Sequence, residues 1–254
     1  MLSVIIITRN ESANIADCLK SVAWADEVVV VDSGSSDDTV AICRDNGCKV
    51  LETDWPGFGV QKNRALAMAT QPWVLSIDAD ERVSPELKTE LLAAMNSDDA
   101  VAGFEIPRLS SYCGRFIKHS GWHPDYVLRL FRRDKAEFTN DLVHEKVVVK
   151  GSCQKLKSSL IHYSFTSLDQ VVDKMNQYSQ LSAQAQFEAG KRSTVKKAVF
   201  KGAFSFFRTY ILKAGFLDGS HGLMLAISNA QGTYYKYAKL ALLSQPTQTD
   251  KPDQ

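Results

Sequence analysis

Several features that are common in other protein classes are missing from this 254-residue sequence. It has no run of the roughly 18 apolar residues that a membrane-spanning helix needs. Its five cysteines form no Cys-x-x-Cys pair and are odd in number, so neither a zinc knuckle nor a full disulfide framework fits, and we expect a reducing cytoplasm. The formal net charge of +1 gives no overall attraction to nucleic acid, and we expect no nucleic-acid partner.

The first residues also lack the basic leader of a signal peptide. Met1 to Thr8 is an apolar, β-branched segment that runs straight into Arg9 and Glu11, and it predicts a first strand. No internal repeat or long linker is visible. Hydrophobic residues make up 44% of the chain, which is enough for a substantial core.

Strand-like and helix-like segments alternate over the first hundred residues. The strands are expected at 3–8, 28–31, 49–51 and 73–77. The helices are expected at 14–22, from about 37 to 46, at 60–69 and at 85–95. This alternation predicts an α/β fold with a doubly wound, mostly parallel sheet. In such sheets ligands bind beyond the carboxyl ends of the strands, and the loops after Thr8, Asp32 and Asp78 should all leave from that edge.

The pattern changes after residue 102. Short strand-like pieces, separated by Gly and Pro turns, predict a mixed or antiparallel extension of the sheet; they are 104–106, 126–131 and 143–149. Three long helical segments follow, at 167–190, 193–214 and 223–243. The expected divisions are a domain over 1–165, a helical region over 166–243, and a tail over 244–254 that is predicted to be disordered.

The strand that ends near Ile77 is followed by three carboxylates in the segment Asp78-Ala79-Asp80-Glu81. If this segment is extended, side chains two apart point to the same face, so Asp78 and Asp80 would converge on one cation. Carboxylate oxygens suit Mg²⁺ or Mn²⁺, which take their remaining ligands from water and substrate phosphates. A solvated turn is the alternative when the triplet is taken alone.

Three strand ends together are more specific than one. In order and spacing, Thr8-Arg9-Asn10-Glu11, the loop 31–39 and Asp78-Ala79-Asp80 resemble the nucleotide-sugar-binding half of glycosyltransferase family 2, which contains inverting enzymes with the GT-A fold. Later segments look like the bacterial lipopolysaccharide core β-1,4-glucosyltransferase branch; they are Gly121-Trp122, Val127 to Phe131, Val143-His144-Glu145 and Leu217-Asp218-Gly219. The resemblance implies a GT-A domain over 1–165 and a helical region on the acceptor and membrane side.

The resemblance also assigns residues to a UDP-sugar donor. Those assigned to the uridine are Thr8, Asn10, Glu11 and Asp32. These side chains suit a uridine, because the edge of uracil presents both hydrogen-bond donors and acceptors and the ribose hydroxyls favour carboxylate acceptors. Asp78 and Asp80 are assigned to the metal, with a contact of Asp78 to the ribose as a further role. Lys62 and Arg64 are candidates for the diphosphate, since Gln61 and Arg64 share a helical face; an ordinary solvated face is the alternative.

An inverting transferase needs a base for the acceptor hydroxyl and stabilisation of the departing diphosphate. The metal around Asp80 would meet the second need. Glu145 is the first candidate for the base, because it starts a strand-like run and the branch resemblance puts it there. Many members of the family carry a Glu-Asp pair at this motif instead, so Asp141 and His144 remain rivals.

Two residues are candidates for contact with the acceptor. Trp122 would stack on an acceptor sugar or, alternatively, serve only in packing. Arg129 would meet acceptor phosphates or, alternatively, lie on a solvated strand face.

Between Lys197 and Leu217, a broad apolar face is bordered by cations. Lys197, Lys201, Ser205 and Arg208 fall on one helical stripe. One interpretation is that this helix lies in the interface of a membrane with anionic lipids. The alternative is that its aromatic residues pack onto the catalytic domain or into a dimer. If the membrane interpretation holds, we expect a cytoplasmic protein that binds peripherally to the inner face of the cytoplasmic membrane.

The sequence therefore predicts a metal-dependent inverting glycosyltransferase. It would move a hexose, with glucose from UDP-glucose as the leading donor, onto a sugar of a lipid-anchored bacterial glycan, with a lipopolysaccharide inner-core heptose as the leading acceptor. One alternative is a sugar nucleotidyltransferase, which would place a Gly-rich loop where this chain has Thr8-Arg9-Asn10-Glu11-Ser12. The other is a nucleotide-sugar-binding protein without turnover.

Overall fold

The central strand of the sheet, β1, is the apolar segment Leu2–Thr8, and six of its seven residues are buried. It pairs in parallel with β2, Glu27–Asp32, on one side and with β4, Trp73–Ser76, on the other. A strand that is covered on both faces needs a continuous apolar run, which these three strands have. The doubly wound, mostly parallel α/β architecture predicted from the sequence is confirmed.

The computed structural model describes residues 1–96, 100–139 and 146–245. The chain divides into two units. The first contains Met1–Leu109 and Pro124–Tyr163, and the second contains Ser110–His123 and the chain from Ser164 on. The segment 110–123 therefore belongs with the C-terminal helices.

The described residues contain nine further strands, and all of them except β9 and β10 extend the sheet. They are β3 Lys49–Glu52, β5 Glu81–Val83, β6 Val101–Tyr112, β7 Arg115–Phe116, β8 Asp125–Arg132, β9 Ala136–Phe138, β10 Val147–Val149, β11 Ser152–Lys155 and β12 Leu160–Phe165. The order is β3-β2-β1-β4-β8-β6-β12-β5; β7 and β11 pair with β6, and β9 and β10 form a separate ribbon. Because β8 is antiparallel to both β4 and β6, the predicted mixed extension is confirmed.

Four helices flank the strands of the first unit: α1 Ser12–Val22, α2 Thr39–Asp45, α3 Phe58–Met68 and α4 Pro85–Ala94. The alternation of β1 decides which core each residue joins. Val4 and Ile6 pack in a hydrophobic cluster with residues of α1 and α4. Ile5 points to the opposite face of the sheet and packs in a second cluster with residues of α3. Helix α4 begins as predicted, with Pro85 in its first turn and the Ser84 hydroxyl accepting a hydrogen bond from the Leu87 N–H.

The second unit contains the three predicted long helices: α5 Leu168–Glu188, α6 Val195–Phe207 and α7 Gly219–Leu243. Both α5 and α6 pack on α7. The second predicted helix ends earlier than expected, because the chain continues as a π-helical segment, Arg208–Leu212, and a 3₁₀ turn, Gly215–Asp218. Within the described residues, every helix is too short or too polar to span a bilayer. Residues 246–254 of the predicted disordered tail lie outside the described residues.

The predicted cationic stripe of α6 does not all face outward. Ser205 is buried, and its hydroxyl donates to the Asn229 carbonyl of α7 at 3.3 Å. Phe200, Phe204 and Phe207, in contrast, are all exposed. These three rings are therefore not part of the core of this chain.

Candidate active site

The segment 78–81 turns instead of continuing the strand. β4 ends at Ser76, and the Glu81 N–H donates to the Asp78 carbonyl at 2.9 Å. The Asp78 N–H in turn donates to the Glu81 carboxylate at 2.9 Å. The expectation that Asp78 and Asp80 lie in an extended segment, with both side chains on one face, is therefore wrong, because side-chain bonds to the backbone favour a turn here.

The half-buried carboxylate of Asp78 lies between two cations. Its Oδ2 is 2.6 Å from Nη2 of Arg129, and its Oδ1 is 3.5 Å from Nζ of Lys62. Burial alone would raise the pKa of Asp78, but the charges of Arg129 and Lys62 outweigh it and hold that pKa well below its usual range. Asp78 is thus a permanent anion whose charge is already balanced by the protein.

A second acid, Glu81, lies behind Asp78 and is completely buried. Its Oε1 is 2.7 Å from Arg129 Nη2 and 3.9 Å from Arg108 Nη1. Burial raises the pKa of Glu81, although the charge of Arg129 acts in the opposite direction. Asp78, Glu81 and Arg129 form one buried network, and removal of any member would leave an uncompensated charge.

Arg129 itself is only 6% exposed, so the alternative that it lies on a solvated strand face is wrong. Burial alone would lower the pKa of Arg129, but Asp78 and Glu81 raise it above its usual range. Its Nε atom is buried and has no hydrogen-bond partner within 1–96, 100–139 and 146–245. A contact of Arg129 with an acceptor phosphate stays a prediction.

Asp80 has a different partner from Asp78. Its Oδ2 lies 3.3 Å from Nε2 of His162, and its side chain is 28% exposed. His162 belongs to β12, which pairs with β5 so that His162 is opposite Glu81. Sequence reasoning missed His162 and Arg108, because their positions depend on pairing between distant strands and no local signal marks them. It noted the Glu81 carboxylate but gave it no role.

The donor chemistry of this turn suits a hard divalent cation that arrives with a phosphate ligand. Within the described residues, no group of three or more His, Cys, Asp and Glu side chains is placed to hold a metal. Mg²⁺ usually takes only one or two carboxylates and completes its shell with water and substrate phosphates. Asp80 fits this requirement as an accessible carboxylate, whereas the charge of Asp78 is already countered by Arg129 and Lys62.

A cavity of about 570 Å³ lies beside Asp78 in the first unit. Its charged lining includes Lys62, Arg108 and Arg129, and the rings of Tyr126 and Phe138 form part of its wall. This volume is within the usual range for small-molecule sites. The charged lining in full is four cations, Lys62, Arg108, Arg129 and Lys146, and two carboxylates, Asp78 and Glu105. A cleft with an excess of cations and with aromatic walls can accept an anionic, sugar-bearing ligand.

Residues predicted to bind the uridine meet at the ends of β1 and β2. Thr8 is opposite Asp32 in the parallel register, and its hydroxyl donates to Asp32 Oδ2 at 3.0 Å. Asp32 Oδ1 accepts from the N–H groups of Gly34 (2.9 Å) and Ser35 (2.8 Å). Gly34 has φ +83°, a left-handed conformation that favours glycine. Asp32 therefore holds the β2 loop in a defined shape.

Asn10 and Glu11 connect this loop to α1. Asn10 has φ 54°, which Asn tolerates better than most residues, and its Oδ1 accepts from the Ser36 N–H at 2.8 Å. Glu11 Oε2 accepts from Asn14 Nδ2 at 2.9 Å, and the Glu11 N–H donates to the Thr39 hydroxyl at 2.8 Å. The structure thus brings all four predicted uridine residues into two neighbouring loops.

The two candidates for contact with the diphosphate, Lys62 and Arg64, point in different directions from helix α3. Lys62 is buried and lines the cavity with Asp78. Arg64 Nη1 instead donates to Asp54 Oδ1 (2.8 Å) and to Gln61 Oε1 (3.0 Å), which confirms that Gln61 and Arg64 share a face. Gln61 Nε2 donates to the Ser33 hydroxyl at 2.8 Å, so Arg64 lies on the side of the β2 loop.

The predicted base candidates and Trp122 are not part of the site described above. Glu145 and its rivals Asp141 and His144 lie outside the described residues. Trp122 is in the second unit, where its ring packs near Tyr112 (5.9 Å between centroids) and Phe165 (6.1 Å).

Comparison with known proteins identifies the family. The family model described as "Glycosyl transferase family 2" matches residues 3–156. The chain belongs to glycosyltransferase family 2. This confirms the family predicted from the three strand ends, and it makes the sugar nucleotidyltransferase the weaker alternative.

Two relatives extend the family 2 match to nearly the whole chain. The chain is 32% identical to the lipopolysaccharide core biosynthesis glycosyltransferase LpsC of Rhizobium meliloti (strain 1021), over 93% of this chain and 93% of that protein. It is 33% identical to the uncharacterized glycosyltransferase RT0209 of Rickettsia typhi, over 96% of this chain and 87% of that protein. The predicted resemblance to lipopolysaccharide core glycosyltransferases is confirmed.

Among solved structures, glucosyl-3-phosphoglycerate synthase from Mycobacterium tuberculosis in complex with phosphoglyceric acid has a similar fold. The match has a TM-score of 0.50 and 18% identity, and it covers 76% of this chain and 81% of that one. At this identity the likeness concerns the fold alone. It agrees with the GT-A-type sheet predicted for this member of family 2.

Proposed function

We propose that this chain transfers a hexose from a UDP-sugar, with UDP-glucose as the leading donor and with inversion at the anomeric carbon. The proposed acceptor is a heptose in the inner core of a lipid-anchored bacterial lipopolysaccharide. The observation that carries the proposal is the set of polar residues at the carboxyl ends of β1, β2 and β4, together with a cation-lined cavity that includes Asp78. Similarity to LpsC over 93% of the chain supports the acceptor class.

The loops after β1 and β2 are proposed to hold the uridine. Thr8, Asn10, Glu11 and Asp32 supply hydroxyl, amide and carboxylate groups there. Asp32 and Asn10 already order these loops through hydrogen bonds to Ser35 and Ser36. A preordered loop loses less conformational entropy when the nucleoside binds. Lys62 and Arg64, on either side of α3, are proposed to approach the diphosphate.

The turn 78–81 is proposed to face the diphosphate. Asp80, with Asp78 beside it, would hold Mg²⁺ or Mn²⁺, whose charge would offset that of the departing diphosphate. Arg129 fixes the carboxylate of Asp78 at 2.6 Å, so that Asp78 keeps its position and its charge as the donor binds. His162, with Nε2 at 3.3 Å from Asp80 Oδ2, would keep the Asp80 carboxylate in place.

Glu145 is proposed to take the proton from the acceptor hydroxyl. As that oxygen forms a bond to the anomeric carbon from the face opposite UDP, the bond from the anomeric carbon to the diphosphate oxygen breaks. The proton then resides on the Glu145 carboxylate, and UDP leaves as the anion. Asp141 and His144 are the rivals for this role, and the proposal rests on the sequence motif for all three.

The second unit is proposed to contact an anionic bilayer at the cytoplasmic face. Six apolar side chains of α6 and the segment that follows it are 46% exposed or more: Phe200, Phe204, Phe207, Ile211, Leu212 and Phe216. Residues 189–217 contain seven Lys and Arg and no Asp or Glu. Exposed aromatic and aliphatic groups bordered by cations are typical of segments that lie in a membrane interface.

Release of free UDP tests the function. UDP-glucose, UDP-galactose and UDP-N-acetylglucosamine are each mixed with the protein, Mn²⁺ and a heptose-bearing lipid-anchored glycan. We expect acceptor-dependent UDP release with UDP-glucose, and a β-linked product by NMR from the α-linked donor. Donor binding without UDP release would indicate a non-catalytic binding protein. Formation of UDP-glucose from UTP and glucose 1-phosphate would indicate a nucleotidyltransferase.

A further inference from the structure

Asp218 joins two segments of the second unit that are distant in the sequence. It is 3% exposed, and its carboxylate accepts from the N–H groups of Lys118 and His119 and from the Ser120 hydroxyl, each at 3.1 Å. A buried carboxylate needs such donors to offset the loss of water. Asp218 therefore fixes the turn that leads into Gly121 and Trp122.

The backbone around this turn is held in uncommon conformations. Ser120 has φ 60° and Ala214 has φ 52°, a region that residues other than glycine rarely adopt. The Ser120 N–H donates to the Lys213 carbonyl at 2.8 Å, which ties the two segments together. The preceding residues, Arg208–Leu212, form the π-helical segment, a feature that is frequent at functional sites.

A pocket of about 390 Å³ lies between these segments. Its polar lining includes Arg208, Lys213 and the hydroxyls of Ser120 and Thr209, and Trp122 forms one wall. In the part of the chain that the structure describes, the side chains of Arg208 and Lys213 form no ion pair and no hydrogen bond. Two positive charges and four hydroxyl-bearing side chains thus line one pocket, and neither cation has a counter-charge among the described residues.

A second, more apolar pocket of about 300 Å³ continues from the first. The two pockets share Trp122, Asn229 and Thr233. The rings of Tyr112 and Phe165 line the second one. A ligand that fits both pockets combines an anionic group with an apolar or ring-shaped part.

We infer that the pocket around Arg208 and Lys213 binds a phosphate monoester carried by a membrane lipid, and that this phosphate belongs to the lipid-anchored acceptor. A monoester carries up to two negative charges, which matches two cations. The guanidinium of Arg208 can bind two phosphate oxygens at once, and Lys213 adds a compact charge. Trp122 is then placed beside the adjoining ring of the ligand. The acceptor assignment rests on the proposed function, whereas phosphate recognition stands on the pocket.

The test compares two kinds of anionic vesicle with equal surface charge. Phosphatidylcholine vesicles contain either phosphatidic acid, which is a phosphate monoester, or phosphatidylglycerol, which is a diester. We expect the wild-type protein to prefer phosphatidic acid. Arg208→Gln combined with Lys213→Gln should weaken binding to phosphatidic acid vesicles by about 10- to 100-fold, as expected for lost charge-assisted hydrogen bonds, and should abolish the preference.

Lys196→Gln combined with Lys201→Gln is the matched control, because it removes the same charge from α6 outside the pocket lining. This pair should weaken binding to both kinds of vesicle equally and keep the preference for phosphatidic acid. Circular dichroism establishes that both double variants are folded. If the two pairs behave alike on both vesicles, only surface charge is recognised and the pocket assignment is overturned.

Competition by glycerol phosphate shows whether the pocket recognises a lipid or a soluble phosphate ester. We expect it to compete with phosphatidic acid vesicles only at concentrations far above that of the accessible lipid. Full displacement at a concentration equal to that of the lipid would overturn the lipid assignment in favour of a soluble phosphate ester. UDP-glucose binding is measured on the same samples and should be unchanged in both double variants. If wild-type protein shows the vesicle preference and no UDP-glucose binding, the proposed donor fails and the pocket assignment survives.

Discussion

The two units of the molecule treat charge in opposite ways. In the first unit, Asp78, Glu81, Arg129 and Lys62 neutralise one another at buried or half-buried positions. In the described part of the second unit, Arg208 has no such partner, and the rings on the outside of α6 are exposed. A neutralised network fixes its geometry before a ligand arrives, whereas an exposed cation without an ion pair is solvated by water and stays available to a ligand. This contrast agrees with the proposal that the first unit binds a small polar ligand and the second contacts a lipid phase.

This contrast determines which substitutions are informative. Removal of one member of a buried ion-pair network costs about 3–5 kcal/mol, because the remaining charge is left without a partner. Arg129 and Glu81 are therefore poor test positions, since loss of activity there would be confounded by loss of stability. Asp80, which is partly exposed and lies outside this network, and the exposed residues of α6 are better ones.

The largest expected effect comes from Asp80→Asn. We expect transfer to fall to the level of chelator-treated enzyme, because a neutral amide is a poorer ligand for a hard divalent ion. Metal-dependent UDP binding should weaken in parallel. Asp17→Asn, an exposed charge change on α1, is the matched control and should transfer normally. Full activity of both Asp80→Asn and chelator-treated wild-type protein would show that the metal assignment is wrong.

Glu145→Gln should have the next largest effect. The amide keeps the size of the side chain but cannot accept a proton, so turnover should fall by about 10²- to 10⁴-fold, the usual contribution of a positioned base. UDP-glucose affinity should stay close to that of the wild-type protein, which separates chemistry from donor binding. Asp141→Asn is measured alongside with the same acceptor. An inactive Asp141→Asn and an active Glu145→Gln would reverse the assignment.

The first unit was largely predictable from the sequence, because its pattern is local. The apolar run of β1, the start of α4 at Ser84-Pro85 and the meeting of Thr8 with Asp32 follow from strand burial, helix capping and parallel pairing. At Asp78 an extended segment was expected and a turn was only the alternative, because a bond from the Asp78 N–H to the Glu81 side chain decides the local conformation.

Long-range pairing limits prediction of the rest of the site. Arg129 reaches Asp78 because β8 pairs with β4, with Leu130 opposite Leu75. His162 reaches Asp80 because β12 pairs with β5. Neither pairing leaves a local signal in the sequence, so a buried arginine was expected on a solvated face or at an acceptor phosphate. The joining of Asp218 to the turn 118–120 depends on the same kind of distant contact.

A smaller effect is expected on the free energy of unfolding, which should depend on whether the substituted charge is paired inside the protein. Glu27 is buried; that alone would raise its pKa, but bonds from Lys49, Ser3 and Thr70 lower it to about 2. A lowered pKa in the folded state means that the stabilisation is present above the unfolded value of about 4.5 and is lost as the pH falls towards 2. Glu27→Gln should therefore cost about 3 kcal/mol at pH 7, by urea unfolding.

The matched control for this stability effect is Arg208→Gln in the second unit. It should change the free energy of unfolding by less than about 0.5 kcal/mol at pH 7, since its charge has no ion-pair partner among the described residues. The difference between wild-type protein and Glu27→Gln should disappear as the pH falls from about 4.5 to 2. Equal effects of the two substitutions at pH 7 would remove the contrast between the units.

The smallest expected effect concerns the exposed rings of α6. Phe200→Ser combined with Phe204→Ser should weaken binding to anionic vesicles by about tenfold, because two partly inserted aromatic groups are lost. High salt should weaken the binding of wild-type protein as well, since it screens the cations. Leu92→Ser, at an exposed position of α4, is the control and should bind normally.

Substitution is the sharper experiment for the membrane surface. A deletion from Ser193 onward would also remove α7, on which α5 and α6 pack, and would disrupt the second unit. A wild-type protein that ignores anionic vesicles at low salt would contradict the membrane proposal.

The measurement that tests the division between the units most directly is UDP-glucose binding in Mn²⁺, by calorimetry, on three proteins. These are the wild type, Asp80→Asn, and the Phe200→Ser and Phe204→Ser double variant. We expect the wild type and the double variant to bind UDP-glucose with the same affinity, and Asp80→Asn to lose most of its metal-dependent binding. Equal loss of donor binding in both variants, or no binding by the wild type, would contradict this expectation.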